Sequence, residues 1–122
     1  MARAETAQEG RAAKAGKLHK MQPTEYNQGM IFEWDLAKNE SNSAKHGIDF
    51  ANAPLCFESP MLTWEDVRFD YPERRWISIA KLGDVLVVLV YANLGGDYCR
   101  IISLRRANRR ERKIYWDTYP GE

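Results

Sequence analysis

The sequence predicts one α+β domain: a strand, two helices, four further strands and a closing helix, giving a mostly antiparallel sheet of four to five strands. Three observations carry that expectation. Helix start and stop signals bracket residues 35–47 and recur at Asn108 and Glu111. Between Pro60 and Ser103, apolar runs alternate with turn clusters at strand-like spacing. The link Gly83-Asp84 is so short that the runs flanking it must form an antiparallel hairpin. At 122 residues and 14.1 kDa the chain has room for one small domain.

Ile31, Phe32 and Trp34 make the first short strand, starting from Met30. Asp35 is a good N-cap for a helix running to about His46, and Gly47 supplies the left-handed residue that closes it. Asp49 can cap a second helix containing Phe50, Ala53, Leu55 and Phe57. Pro54 removes a backbone donor there, so this helix should be short or kinked. After Ser59-Pro60, strands are expected at Met61–Val67, Arg74–Lys81, Val85–Tyr91 and Tyr98–Ser103. They are separated by Asp70-Tyr71-Pro72, Gly83-Asp84 and Gly95-Gly96-Asp97. Asn108 with Glu111 reads as a capping box for a last helix through about Trp116.

Residues 1–29 differ from the domain at 30–122. They are rich in Ala, Gln, Gly and Lys and poor in large apolar side chains, so they cannot fold alone. Two readings stay open: a flexible basic extension whose lysines assist RNA binding, or a mis-called start with translation beginning at Met30.

Composition excludes several classes. Cys56 and Cys99 form no disulfide framework, and with His19 and His46 they lack metal-ligand spacing, so neither a metal nor another cofactor is expected. The longest apolar run, Val85–Val90, is too short to span a membrane, and no secretory signal is evident. A reducing, cytoplasmic setting follows. The net charge of +1 hides an asymmetry: from Arg100 to Lys113 seven residues are basic and one, Glu111, is acidic. Such a patch can present a local field to a polyanion.

Three segments could carry chemistry. Lys45-His46-Gly47 places a titratable imidazole at a helix C-terminus, although a lone histidine there is more often a cap or surface residue. Glu73 and Arg75 share one face of a strand and can point into a cleft, but an ordinary surface ion pair explains them as well. In Arg100-Ile101-Ile102-Ser103, alternation puts Arg100 with Ile102 and Ile101 with Ser103, and Arg105 and Arg106 follow. Basic residues continue at Arg109, Arg110, Arg112 and Lys113, with Tyr115 and Trp116 beyond them. Arginine interleaved with aromatic rings suits single-stranded RNA; a solvated helix face suits the same residues about equally.

Taken in order, these segments resemble the BrnT toxin family. The matching pieces are Phe32-Glu33-Trp34-Asp35, Asn42 with Lys45-His46-Gly47, Phe50 and Phe57, Glu73 and Arg75. They continue through Val87–Tyr91, Arg100–Ser103, Arg105-Arg106-Ala107, Glu111 and Tyr115, so the resemblance covers about residues 30–116. Pro54, Asp49 and residues 1–29 depart from the pattern.

The resemblance implies a RelE-like fold and a metal-independent endoribonuclease that slows translation. It also implies a BrnA-like ribbon-helix-helix antitoxin that silences the toxin, and operator DNA bound only through that complex. Metal-free cleavage needs a base for the ribose 2′-hydroxyl, cations for the phosphorane and an acid for the leaving oxygen. Arg75, Arg100 and Arg105 are the candidates for the phosphate. His46 or Glu73 would be the base, and His46 or Tyr115 the acid. Lys45, Arg106, Arg109, Arg110 and Lys113 would hold the RNA backbone. Two rivals remain: a module that grips nucleic acid without cutting it, and a surface that only docks an acidic partner.

Overall fold

The computed structural model describes residues 18–21 and 29–120. In chain order these form β1 (Leu18–Met21), β2 (Ile31–Asp35), α1 (Leu36–His46) and a 3-10 turn (Phe50–Asn52) running into the single-turn helix α2 (Ala53–Cys56). Then come β3 (Leu62–Glu65), β4 (Arg75–Leu82), β5 (Val85–Gly95), β6 (Tyr98–Arg106) and α3 (Arg109–Thr118). The strands form one sheet in the order β1-β2-β6-β5-β4-β3.

The α+β class and the element order are as the sequence predicts, with two differences in the sheet. It is mixed: β2 pairs parallel with β6, because the chain leaves β2 through α1 and α2 and returns to its side only after three other strands. It also has six strands, because Leu18–Met21, inside the expected N-terminal extension, pairs antiparallel with the outer edge of β2. A four-residue strand carries little periodic signal, and pairing with an open edge is a tertiary event. The rest of residues 1–29, and the question of where translation starts, lie outside the described residues.

Local signals explain the remaining elements. Asp35 accepts from the backbone N–H groups of Ala37 (2.9 Å) and Lys38 (3.2 Å), and Gly47 ends α1 at φ 75°. Pro54 falls at the start of α2, where no helical donor is needed, so the second helix is a single turn. Gly83, at φ 63°, makes the two-residue turn between Leu82 and Val85. The Asn108–Glu111 capping box is present in both directions.

Each face of the sheet has its own core. On one face Phe32, Trp34, Val87, Leu89, Ile101 and Leu104 pack against Ile48, Phe50, Ala53 and Cys56 beneath α1 and α2. On the other, Ile77, Ile79, Leu86, Val88 and Val90 pack against Ala107 and Tyr115 of the α3 segment. Asn42 locks α1 to the sheet: its Nδ2 donates to the Leu104 carbonyl at 2.8 Å, and its Oδ1 accepts from the Leu104 N–H at 3.3 Å. One side chain thus pairs the part of β6 that β2 is too short to cover.

Candidate functional site

Side chains at paired positions of neighbouring strands point to the same side of a sheet. Arg75 of β4 lies opposite Ala92 of β5, Ala92 opposite Arg100 of β6, and Arg100 opposite Glu33 of β2. This row lies on the α3 side, because Ala92 shares its face with Val88 and Val90. Strand spacing puts the Cα atoms of Arg75 and Arg100 roughly 10 Å apart. Ala92 between them is fully buried, so the flanking side chains close over it.

Arg105 joins this face through a β-bulge. Arg100 and Arg105 are an odd number of positions apart, and a regular strand would point them to opposite sides. The register jumps between Ser103 opposite Val90 and Ile101 opposite Tyr91, which leaves Ile102 as the extra residue. Ser103 therefore sits on the face of Arg100, correcting the alternation read from sequence. Arg105, opposite Val88, follows it there.

Each arginine of the face is held by a carboxylate. Arg100 donates from Nε (2.9 Å) and Nη2 (2.7 Å) to Oε2 of Glu33, a residue only 4% exposed. Arg105 donates from Nη1 (2.9 Å) and Nη2 (2.8 Å) to Glu111, whose carboxyl is held below its usual range chiefly by that guanidinium. Arg75 gives its Nε to Glu73 at 2.8 Å and lies 4.0 Å above the Tyr71 ring. A guanidinium has five donors, and Arg75 commits one of them to Glu73. Its Nη groups remain for a bidentate anion such as a phosphodiester.

The other predicted residues are distributed around this face. His46 is half-buried, one turn beyond Asn42 on the same side of α1. Lys45 beside it is exposed. Arg106 is exposed at the end of β6 and, opposite Val87, belongs to the α1 side of the sheet. Arg109, Arg110 and Lys113 are exposed on α3, with Lys113 paired to Asp117 at 3.0 Å. Two arginines in the first turn oppose the helix dipole, an arrangement that helix stability alone does not favour. Tyr115 is a correction. It is fully buried, and its hydroxyl donates to the Pro60 carbonyl at 2.9 Å, so it anchors α3 and has no path to a substrate.

Four residues that hold or adjoin these arginines were not picked out from sequence: Glu33, Asp66, Arg68 and Tyr71. Glu33 had a legible signal, a carboxylate centred in the apolar run Phe32-Glu33-Trp34. Asp66 is 4% exposed and receives Nε and Nη2 of Arg68, both at 2.8 Å, which brings its carboxyl down to about 2. Arg68 and Tyr71 belong to the loop between β3 and β4, which the Asp66 N–H closes on the Arg75 carbonyl at 2.8 Å. Nothing in the local sequence marks that closure.

The thiols contribute no nucleophile: Cys56 and Cys99 are free and buried, and burial pushes both up to about 12. Among the described residues no helix is long and apolar enough to cross a membrane. The face therefore offers clustered, preoriented guanidiniums and two partly exposed carboxylates, of which Glu73 is the more exposed and lies next to the arginine with the most uncommitted donors of the three. That set can bind a phosphodiester and take a proton beside it.

A family model described as the ribonuclease toxin BrnT of type II toxin–antitoxin systems matches residues 34–111, well over half of the chain. Among solved structures, the crystal structure of the Brucella abortus ribonuclease toxin BrnT is similar at 24% identity and a TM-score of 0.48. That match covers 62% of this chain and 94% of the other. No curated protein matches.

Proposed function

The chain belongs to the BrnT family of ribonuclease toxins of type II toxin–antitoxin systems, and from that premise we propose that it is an active, metal-independent endoribonuclease working on the arginine face. The family implies an RNA substrate and an antitoxin partner. The observation that carries the finer reading is the in-register row of Arg75 and Arg100 across Ala92, with Glu73 on Arg75 and Arg105 further along.

In this reading the scissile phosphate sits on the Nη groups of Arg75, and Arg100 and Arg105 stabilise the charge that builds on the phosphorane. Glu73 takes the proton of the ribose 2′-hydroxyl. The freed O2′ forms a bond to phosphorus as the bond to the 5′-oxygen breaks, leaving a cyclic phosphate and a 5′-hydroxyl. The leaving oxygen needs a proton. With Tyr115 sealed in the core, His46 is the remaining candidate for that donor. Lys45, Arg106, Arg109, Arg110 and Lys113 steer the rest of the RNA through charge. Cleavage in the cytoplasm slows translation. A ribbon-helix-helix antitoxin holds the toxin silent, and operator DNA is reached only through that complex.

The test is cleavage of RNA by the purified full chain in the presence of a chelator. Wild type should cut, while Arg75→Ala and Arg105→Ala should each lose about 100-fold or more in rate while remaining folded. If both variants cut as wild type does, the arginine face is not the site. A protein that shifts RNA without shortening it would instead be a binding module.

A further inference from the structure

The connection between β3 and β4 is more ordered than a surface loop requires, and it ends in an exposed ring. The backbone N–H of Asp66 donates to the Arg75 carbonyl at 2.8 Å, closing the loop at its base. The Asp66 side chain, fully shielded from solvent, accepts from the Arg68 backbone at 3.2 Å and from its guanidinium. Arg75 stacks on Tyr71, and the Phe69 ring meets Tyr71 edge-on, with centroids 5.8 Å apart at 76°. Yet Phe69 is 70% exposed and Val67 76% exposed. A loop braced by a buried carboxylate and a cation–π contact has the means to tuck a phenylalanine away, and this one holds it out.

We propose that the Asp66–Glu73 loop is a nucleobase subsite, in which Phe69 stacks one unpaired base of the RNA whose adjoining phosphate lies on Arg68 and Arg75. The inference rests on the ribonuclease reading above and adds where and in what form the substrate is gripped. The chemistry favours single-stranded RNA over a protein occupant. The exposed ring follows Arg68 in the chain and meets the Tyr71 ring on which Arg75 stacks, and Arg68 keeps Nη1 uncommitted by Asp66. An aromatic face beside phosphate-binding cations is the pairing that unstacked nucleotides use. Tyr71 serves both halves, as a seat for Arg75 and a wall for Phe69. Phenylalanine offers no hydrogen bonds, so this subsite selects for an unpaired base and tolerates its identity. Duplex RNA, with its bases stacked inside, gains nothing from it.

The experiment uses the full chain and a single-stranded oligoribonucleotide that cannot be cut because its 2′-hydroxyls are methylated. A fluorescent adenine analogue, 2-aminopurine, is moved along it position by position. Wild type should quench the probe at one position. Phe69→Ala should abolish that quench and weaken binding about tenfold or more, while Phe69→Tyr keeps both. A duplex of the same sequence should not distinguish the variants. Phe69 is mostly exposed, so the folded state should survive either substitution. If Phe69→Ala binds and quenches like wild type while wild type still cuts RNA, the subsite is refuted and the ribonuclease reading stands. If wild type neither binds the oligonucleotide nor cuts RNA, both fall. If Phe69→Ala loses only the antitoxin and keeps RNA, the loop is a protein-docking element and the subsite is likewise refuted.

Discussion

On the α1–α2 side of the sheet, Phe32, Trp34, Phe50 and Leu104 are sealed among other apolar side chains, and the helices cover them. On the α3 side the apolar packing is narrower, and beyond it the surface changes to arginines held by carboxylates. The first face is held by burial, and its titratable groups lie only at its rim, at Lys45, His46 and Arg106. The second gives up part of its core to display cations whose positions are set by ion pairs. The difference shows where the fold stores stability and where it can hold function: burial is non-directional, whereas a guanidinium must be aimed.

Three measurements break or sharpen that contrast. The largest effect belongs to the sealed face. Phe50→Ala should destabilise the protein by roughly 3–5 kcal/mol, because Phe50 is fully buried and its removal leaves a cavity. Chemical denaturation reads this, and a cost below about 1 kcal/mol would mean that the face repacks freely. Next comes Arg100, whose partner Glu33 is buried. Arg100→Ala strands the Glu33 carboxylate and should cost about 3 kcal/mol, whereas Arg105→Ala, with both partners partly exposed, should cost under about 1 kcal/mol. Equal costs would erase the distinction between a structural and a displayed arginine. Arg100→Ala combined with Glu33→Gln should recover part of the loss.

The third is an acid titration. Asp66 is brought down to about 2 in the folded protein by Arg68, below its unfolded value near 4. A depressed carboxyl stabilises the fold above the unfolded value, and that contribution is lost as the pH falls through the folded one. About 2 kcal/mol should therefore disappear between roughly pH 5 and pH 2. Glu111, lowered by Arg105, adds a slope of the same sign. Asp66→Asn should flatten the Asp66 part of this slope. A slope unchanged in that variant would show that the loop is not braced by this pair.

Much of this architecture was readable before any coordinates. The cap at Asp35, the stop at Gly47, the shortened helix at Pro54, the Gly83 turn and the Asn108–Glu111 box each depend on residues within a few positions of one another. Such signals are local, and local steric and hydrogen-bonding rules decide them. The arginines of the candidate face were also picked out from sequence as candidates for a phosphate, by residue type and spacing. Tyr115 was misjudged because an aromatic on a basic helix can face either RNA or the sheet, and helical periodicity there did not say which.

By itself, then, the sequence determined the class of fold, most of its elements and where the cations fall along the chain. Only the tertiary structure decided which of those cations meet one another. The bulge at Ile102 turns Arg105 onto the face of Arg100. Glu33 finds Arg100 across 67 positions, and Asn42 reaches Leu104 across 62. Each of these depends on register and strand order, which arise from the packing of the whole sheet, and no window of neighbouring residues contains that information.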